Sequence, residues 1–137
     1  MKTGNVRLWA VRLLIAVVIA WNLQAAFSMI ARADLSAAAF ELQAVPGRVA
    51  VQGMGILFIM WNIPYMVACW QPQKQRLSLW EAAGMQTVGV IGELAIFFTL
   101  PEGHALLTRS LQRFIAFDVA GMLLLILALL FTGRFWK

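Results

Sequence analysis

Residues 113–132, RFIAFDVAGMLLLILALLFT, form an apolar stretch whose one acid is Asp118. A bilayer core about 30 Å thick requires about 20 apolar residues in a helix, which is the length of this stretch. Similar stretches lie upstream at Leu8–Ile30, Arg48–Trp70 and Leu79–Leu100. Because backbone groups in hydrocarbon must bond within their own segment, each stretch is predicted to be a helix. The sequence therefore predicts an all-α integral membrane four-helix bundle, with residues 1–137 as a single domain.

The composition agrees with lipid as the surrounding solvent. Hydrophobic residues make up 62% of the chain and charged residues 12%, against about 45–50% and about 25% in soluble domains. The formal net charge of +5 does not indicate nucleic acid, because the basic residues stand singly at the ends of apolar stretches. We therefore expect the lipid bilayer as a partner and no nucleic acid.

The distribution of Lys and Arg predicts the orientation of the bundle. Cytoplasmic loops carry the excess of these residues. An N-in, C-in arrangement places most of them on the cytoplasmic side: Lys2, Arg7, Arg12, Lys74, Arg76, Arg134 and Lys137. Indole rings anchor helix ends at the membrane interface, and four tryptophans fall on this same side: Trp9, Trp70, Trp80 and Trp136. The prediction is a multi-pass membrane protein with both termini in the cytoplasm.

The segment between the first two spans is predicted to hold a short interfacial helix. Asp34 is a suitable N-cap, and apolar residues follow at helical spacing at Leu35, Ala38, Leu42 and Val45. The pair Pro46-Gly47 then predicts a turn into the second span.

The ends of the later helices have their own signals. Ser78 and Glu81 match a capping box at the start of the third span. Pro101-Glu102-Gly103 ends that span, and residues 104–112 are predicted to continue into the fourth span as one long helix.

The first span has an alternative interpretation as a secretory signal peptide. Lys2 and Arg7 precede the apolar run, and Ala31-Arg32-Ala33 resembles a cleavage site. An uncleaved span is favoured because the apolar run exceeds the usual length of about 7–15 residues.

Two acids lie at membrane depth, Glu93 in the third span and Asp118 in the fourth. Burying a charge there costs at least a few kcal/mol, so each acid needs a partner. Both lie in the outer half at similar depth, at a rise of about 1.5 Å per residue. Gln86 and Gly89 share a stripe with Glu93, and Arg48 at the outer end of the second span is the predicted partner of Glu93 or Asp118.

Two interpretations of these polar residues stay open. In one they form a satisfied network that only fixes helix packing. In the other they line an outer-half pocket that binds a small molecule or relays protons. The candidate residues for ligand binding or proton relay are Arg48, Gln52, Asn62, Gln86, Glu93 and Asp118.

Pro64 frees a backbone carbonyl and predicts a kink in the second span. Asn62 and Tyr65 flank it, so the kink either lines a cavity or is a packing feature in which Asn62 satisfies the freed group.

Cysteine and histidine usage limits the chemistry. Cys69 and His104 are single residues of their kinds, which excludes an internal disulfide, a multi-cysteine zinc site and a bis-histidine haem within one chain. We predict no catalytic residues and no metal site, and the cofactor is left open.

The chain resembles the DoxX-like group of small four-helix bacterial membrane proteins. The resemblance lies in Arg48, Gly53 and Gly55 of the second span, the run Gly89-Val90-Ile91-Gly92-Glu93 of the third, and Asp118 early in the fourth. It implies a four-helix fold in the bacterial inner (plasma) membrane and an accessory role beside quinone or thiol redox enzymes. A thiol role would need more cysteines than Cys69.

Three functions are compatible with the sequence. The favoured one is a non-catalytic accessory subunit, or a binder of a small lipid-like, quinone-like molecule, that joins a larger membrane complex or a homo-oligomer. The alternative is a proton-coupled small-molecule transporter using Glu93 and Asp118, although the small multidrug-resistance proteins place their essential acid in the first span. The third is a membrane enzyme, for which His104 and the two acids would supply acid-base chemistry.

Overall fold

The computed structural model describes residues 3–133, which form helices joined by short loops. The helices are α1 (Thr3–Ala31), α2 (Ala33–Ala39), α3 (Ala44–Trp70), α4 (Arg76–Thr99) and α5 (Ala105–Gly133). α1, α3, α4 and α5 are each long and apolar enough to cross a membrane. The predicted all-α four-helix bundle is confirmed, and so is a short helix between the first two spans.

The four long helices surround one core. α1 packs against α3 and α5, and α4 packs against the same two helices. α2 contacts α1, α3 and α5. It lies at the end of the bundle where α1 ends and where α3 and α5 begin, which we call the α2 end.

Apolar side chains fill the interior and also cover the outside. The core contains Ile15, Leu79 and Leu125, which are fully buried, with small residues such as Ala68 and Ala82 where the helices approach each other. Large apolar side chains also face outward, among them Leu13 at 67% and Phe98 at 79% exposure. This two-sided pattern is expected when hydrocarbon is the solvent, because a soluble bundle would have a polar outer face.

Gly55 permits the close approach of α1 and α3. A Cβ added at Gly55 would lie 2.8 Å from the carbonyl oxygen of Ala26 and 2.8 Å from Cγ1 of Ile30. Interfaces between membrane helices favour small residues because they allow backbones to come together.

The turn before α3 differs from the sequence prediction. Asp34 is not the N-cap of α2, because α2 begins at Ala33 after Arg32 and has no side-chain cap. Pro46 and Gly47 lie in the first turn of α3, where proline is tolerated because the first N–H groups have no helical partner. The chain reverses earlier, at residues 40–43.

The predicted start of the third span is wrong, whereas the predicted start of the fourth is confirmed. The predicted capping box is wrong, since α4 begins at Arg76, Gln75 precedes it, and no side chain caps it. The helix therefore starts before Ser78. The extension of the fourth span is confirmed, because α5 is continuous from Ala105. α3 also continues through Pro64 to Trp70.

Aromatic and basic residues meet at the end of the bundle opposite α2. Trp9, Trp70 and Trp80 are all exposed there, at the start of α1, the end of α3 and the start of α4. The guanidinium of Arg12 lies 5.2 Å from the Trp9 ring and donates to the carbonyl oxygen of Trp70 at 2.7 Å. Four of the residues used to predict the orientation lie outside the described residues: Lys2, Arg134, Trp136 and Lys137.

The replacement Gly55→Ala is expected to lower the free energy of unfolding by about 1–3 kcal/mol, because the added methyl overpacks the α1–α3 contact. Gly53→Ala is the matched control on the same helix, since no atom lies within 4 Å of its added Cβ. It should leave stability unchanged or raise it by up to about 1 kcal/mol through helix propensity. Denaturant unfolding in micelles measures both, and equal effects of the two replacements would contradict the predicted close contact.

Candidate functional site

A chain of hydrogen bonds links three helices in the interior. The hydroxyl of Tyr65 on α3 donates to Oε1 of Gln86 on α4 at 2.7 Å. Nε2 of Gln86 donates in turn to Oδ1 of Asp118 on α5 at 2.8 Å. Tyr65 and Gln86 are buried, at 2% and 5% exposure. Of the residues in the predicted network, Gln86 and Asp118 are bonded to each other, and Tyr65 is the third member of this chain.

Two glycines make room for this chain. A Cβ at Gly89 on α4 would lie 2.5 Å from Oδ2 of Asp118, and a Cβ at Gly121 on α5 would lie 2.9 Å from Nε2 of Gln86. Each helix thus carries a polar side chain and, three residues later, a glycine. Because α4 and α5 run in opposite directions, each polar group lies over the glycine of the other helix. We call this arrangement of Gln86, Gly89, Asp118 and Gly121 the α4–α5 cross.

The predicted partner of the membrane acids is wrong. Nε of Arg48 donates to Oδ1 of Asp34 on α2 at 2.9 Å, and both side chains are exposed. The physical reason is that α2 folds back onto the start of α3, which places the acid of the short helix nearest to Arg48. Asp118 receives its hydrogen bond from the neutral amide of Gln86 instead.

Glu93 is one helical turn beyond Gly89 on α4 and is half-buried. Its Oε2 atom is buried without a hydrogen-bond partner among the described residues.

Asn62 on α3 is fully buried, and its Nδ2 donates to the carbonyl of Phe58 at 2.7 Å. That bond does not go to Met60, whose carbonyl Pro64 leaves free, so the predicted satisfaction by Asn62 is wrong. Gln52 is half-buried on α3.

A cavity of about 230 Å³ lies between α1 and α5 beneath α2, and we call it the α1/α5 crevice. Several of its residues are aromatic: Trp21, Phe40, Phe58, Phe114 and Phe117. The residues with polar side chains that line it are Asn22, Gln24, Ser28, Ser36, Arg113 and Asp118. Trp21 and Phe117 meet edge to face across its wall, with ring centroids 5.9 Å apart.

The crevice reaches the interior hydrogen-bond chain. A smaller cavity of about 20 Å³ is lined by Tyr65 and Gln86 and shares Asn22, Phe58 and Asp118 with the crevice. Asp118 is therefore the point where the crevice and the chain of hydrogen bonds meet.

Of the predicted site residues, Asp118 lines the crevice and Gln86 the smaller cavity. The others line neither: Arg48, Gln52, Asn62 and Glu93. The sequence analysis missed the α1 side of the site. The available signal was the spacing of Trp21, Gln24 and Ser28, which places an aromatic and two polar residues on one face of a membrane helix.

A second polar cluster fastens the α2 end. Leu42 N–H donates to the carbonyl of Ala37 and Glu41 N–H to that of Ala38, which is the hydrogen-bond pattern of a Schellman motif. Glu41 has φ 57° at the position where glycine is usual. For a residue with a side chain, this left-handed conformation costs about 1–2 kcal/mol.

The contacts of the Glu41 side chain compensate for its unfavourable backbone conformation. Its carboxylate accepts from the backbone N–H of Leu107 in the first turn of α5 and contacts Nδ1 of His104. A carboxylate is favourable there because helix N-termini carry partial positive charge. The hydrogen bond with His104, followed by that with Leu107, holds the pKa of Glu41 below its ordinary value of 4.5.

Comparison with protein family models, curated proteins and solved structures finds no match to this chain. The resemblance to the DoxX-like group therefore stays a prediction. Within residues 3–133, no group of three or more His, Cys, Asp or Glu side chains is placed to hold a metal ion.

Replacing Glu41→Gln is expected to destabilise the protein at neutral pH and to matter less in acid. The folded-state pKa of Glu41 is lowered, so its stabilisation is present above about pH 4.5 and is lost as the pH falls through the folded-state value. The difference in thermal unfolding midpoint between wild type and variant should therefore shrink from neutral pH to about pH 3. A difference that stays constant over this range would contradict the assigned role of the carboxylate.

Proposed function

We propose that this protein is a non-catalytic multi-pass subunit of the bacterial inner membrane that binds a small lipid-like molecule with a quinone-like head group in the α1/α5 crevice. The proposal rests on one observation: several aromatic rings and the Asp118 carboxyl line the same cavity. With both termini in the cytoplasm, the α2 end and the crevice lie in the outer half of the bilayer.

The shape of the crevice favours a ligand that enters from the lipid. Gln24, Arg113 and Phe117 are exposed at the bundle surface on the two walls of the crevice. The cavity volume of about 230 Å³ is below the usual range of about 300–1,000 Å³ for drug-sized ligands. It therefore suits a single ring, while an attached apolar tail would lie along the outside of α1 and α5. Aromatic walls stabilise a flat ring by offset or edge-to-face contact.

The polar groups favour a head group that exchanges between carbonyl and hydroxyl forms. The amide of Asn22 supplies a donor for a carbonyl group, and the carboxyl of Asp118 supplies an acceptor for a hydroxyl group. Because Gln86 already bonds to Oδ1 of Asp118, the carboxyl is held in one orientation before any ligand arrives.

An accessory role is supported by the outer surface of the bundle. The faces of α3 and α4 expose large apolar side chains, including Ile56, Ile63, Val88 and Ile91. A subunit of a larger membrane complex, or a second copy of this chain, would pack against these faces.

The experiment measures binding of a short-chain benzoquinone to protein in micelles by titration calorimetry, with native mass spectrometry of protein extracted from its own membrane. Ala25→Trp fills the crevice and should weaken binding at least about tenfold. Ala20→Trp is the matched control, since it places the same ring on an exposed position of the same helix. Asp118→Asn should weaken binding of the corresponding hydroquinone by about tenfold, because the ligand hydroxyl then loses its hydrogen bond to the carboxyl. Equal binding by the wild type and Ala25→Trp would overturn the proposal.

A second function, proton-coupled transport, is favoured by Glu93, whose buried Oε2 has no hydrogen-bond partner in residues 3–133. A carboxyl at membrane depth that is free to bind a proton is the group such transport needs. In vesicles with a pH gradient, Glu93→Gln should abolish uptake of a lipophilic cation such as ethidium. Glu81→Gln, at an exposed acid of the same helix, should leave uptake unchanged. Equal uptake by wild type and Glu93→Gln would remove this candidate.

A further inference from the structure

α2 covers the α1/α5 crevice from the α2 end of the bundle. Ser36, Ala39 and Phe40 of this segment all line the crevice. The segment is attached at both ends by short connections, Arg32 to α1 and residues 40–43 to α3. A movement of α2 about these connections would change access to the crevice without moving the four long helices.

α2 buries few side chains of its own. It has seven residues and buries the side chains of Ala33 and Ala37, which are both small. Helices this short are not stable alone. Elements with few buried apolar contacts are the ones that open locally while the rest of a protein stays folded.

Polar contacts to α5 hold the segment closed. Oγ of Ser110 on α5 donates to the carbonyl of Ala39 at 2.6 Å. Glu41 accepts from Leu107 N–H at 3.2 Å and contacts His104. The Phe40 ring also packs on Phe114 of α5, with centroids 5.6 Å apart.

Contacts to the other helices would remain if the α5 contacts broke. Ser36 donates to the carbonyl of Ser28 on α1, and Asp34 pairs with Arg48 on α3. Asp34 and Ser36, which form these bonds, precede the C-terminal end of α2. The bonds to α5 are formed at the C-terminal end of α2, next to Glu41 and its left-handed backbone. The strained residue thus adjoins the contacts that would have to break.

We propose that α2 with residues 40–43 is a lid over the α1/α5 crevice, and that the contact of Glu41 with the N-terminus of α5 keeps it closed. The lid opens by releasing its C-terminal end from α5 while its start stays attached to α1. The lid controls the opening of the crevice at the α2 end, separately from the entrance on the lipid side. That the crevice takes a ligand rests on the proposed function, whereas the opening of the lid is a property of the chain that is measured without a ligand.

The test measures opening as the rate at which N-ethylmaleimide modifies a cysteine inside the crevice. The background is Cys69→Ala, which removes the native thiol. Asn22→Cys places the reporter at the inner part of the crevice. Gly84→Cys reports on an exposed position of α4 where an added Cβ meets nothing within 4 Å. All proteins are compared in the same micelles at the same neutral pH.

Glu41→Gln should raise the labelling rate at Asn22→Cys about tenfold, the effect of losing one hydrogen-bonded charge. The rate at Gly84→Cys should not change. Glu102→Gln removes an exposed acid from the α4–α5 loop and should affect neither rate. Ser110→Ala removes another bond of the same contact and should add to the effect of Glu41→Gln.

Unchanged labelling at Asn22→Cys in the Glu41→Gln, Ser110→Ala double variant would overturn the lid. Equal acceleration at both reporters would also overturn it, because that pattern indicates loosening of the whole bundle. Loss of quinone binding with a normal labelling response would instead remove the proposed ligand and leave the lid standing.

Discussion

Polar groups surrounded by hydrocarbon must find their partners within the protein, and the α4–α5 cross is how this bundle meets that requirement. Gln86 and Asp118 each lie over a glycine of the opposite helix, so the two side chains reach each other at 2.8 Å. Such contacts contribute roughly 0.6–2 kcal/mol each in membranes. Their larger effect is on geometry, because they set how α4 lies against α5 and place Asp118 at the crevice.

The two sides of the bundle have different character. On the side of α4 and α5, Gln86 is paired with Asp118 and the contact between the helices is close. On the side of α1 and α5, the large rings of Trp21 and Phe117 meet at their edges and leave a cavity between the helices. Binding of a ligand is therefore proposed on the side where the helices are held apart, next to a carboxyl whose orientation is set from the other side.

The sequence predicted the four spans because twenty-residue apolar runs have few other solutions. Helical spacing placed Gln86 on the same stripe as Glu93, and depth placed Glu93 level with Asp118, whereas the residue of α4 that contacts Asp118 is Gln86. The sequence could not assign Arg48, because the fold of the short α2 segment decides which acid lies nearest to it. The crevice escaped prediction for a similar reason. Its walls come from α1, α2 and α5, and their separation depends on ring packing that no single helix pattern contains.

The reciprocal glycines of the α4–α5 cross also restrict how the protein can move. A shift of one helix along the other by a single turn, in either direction, would move the Gln86 amide off Gly121 and against a larger side chain, that of Leu124 or of Asp118. Piston-like sliding between these two helices is thereby blocked. Movements within the bundle are therefore expected at α1 and at the segment that follows it, and not between α4 and α5.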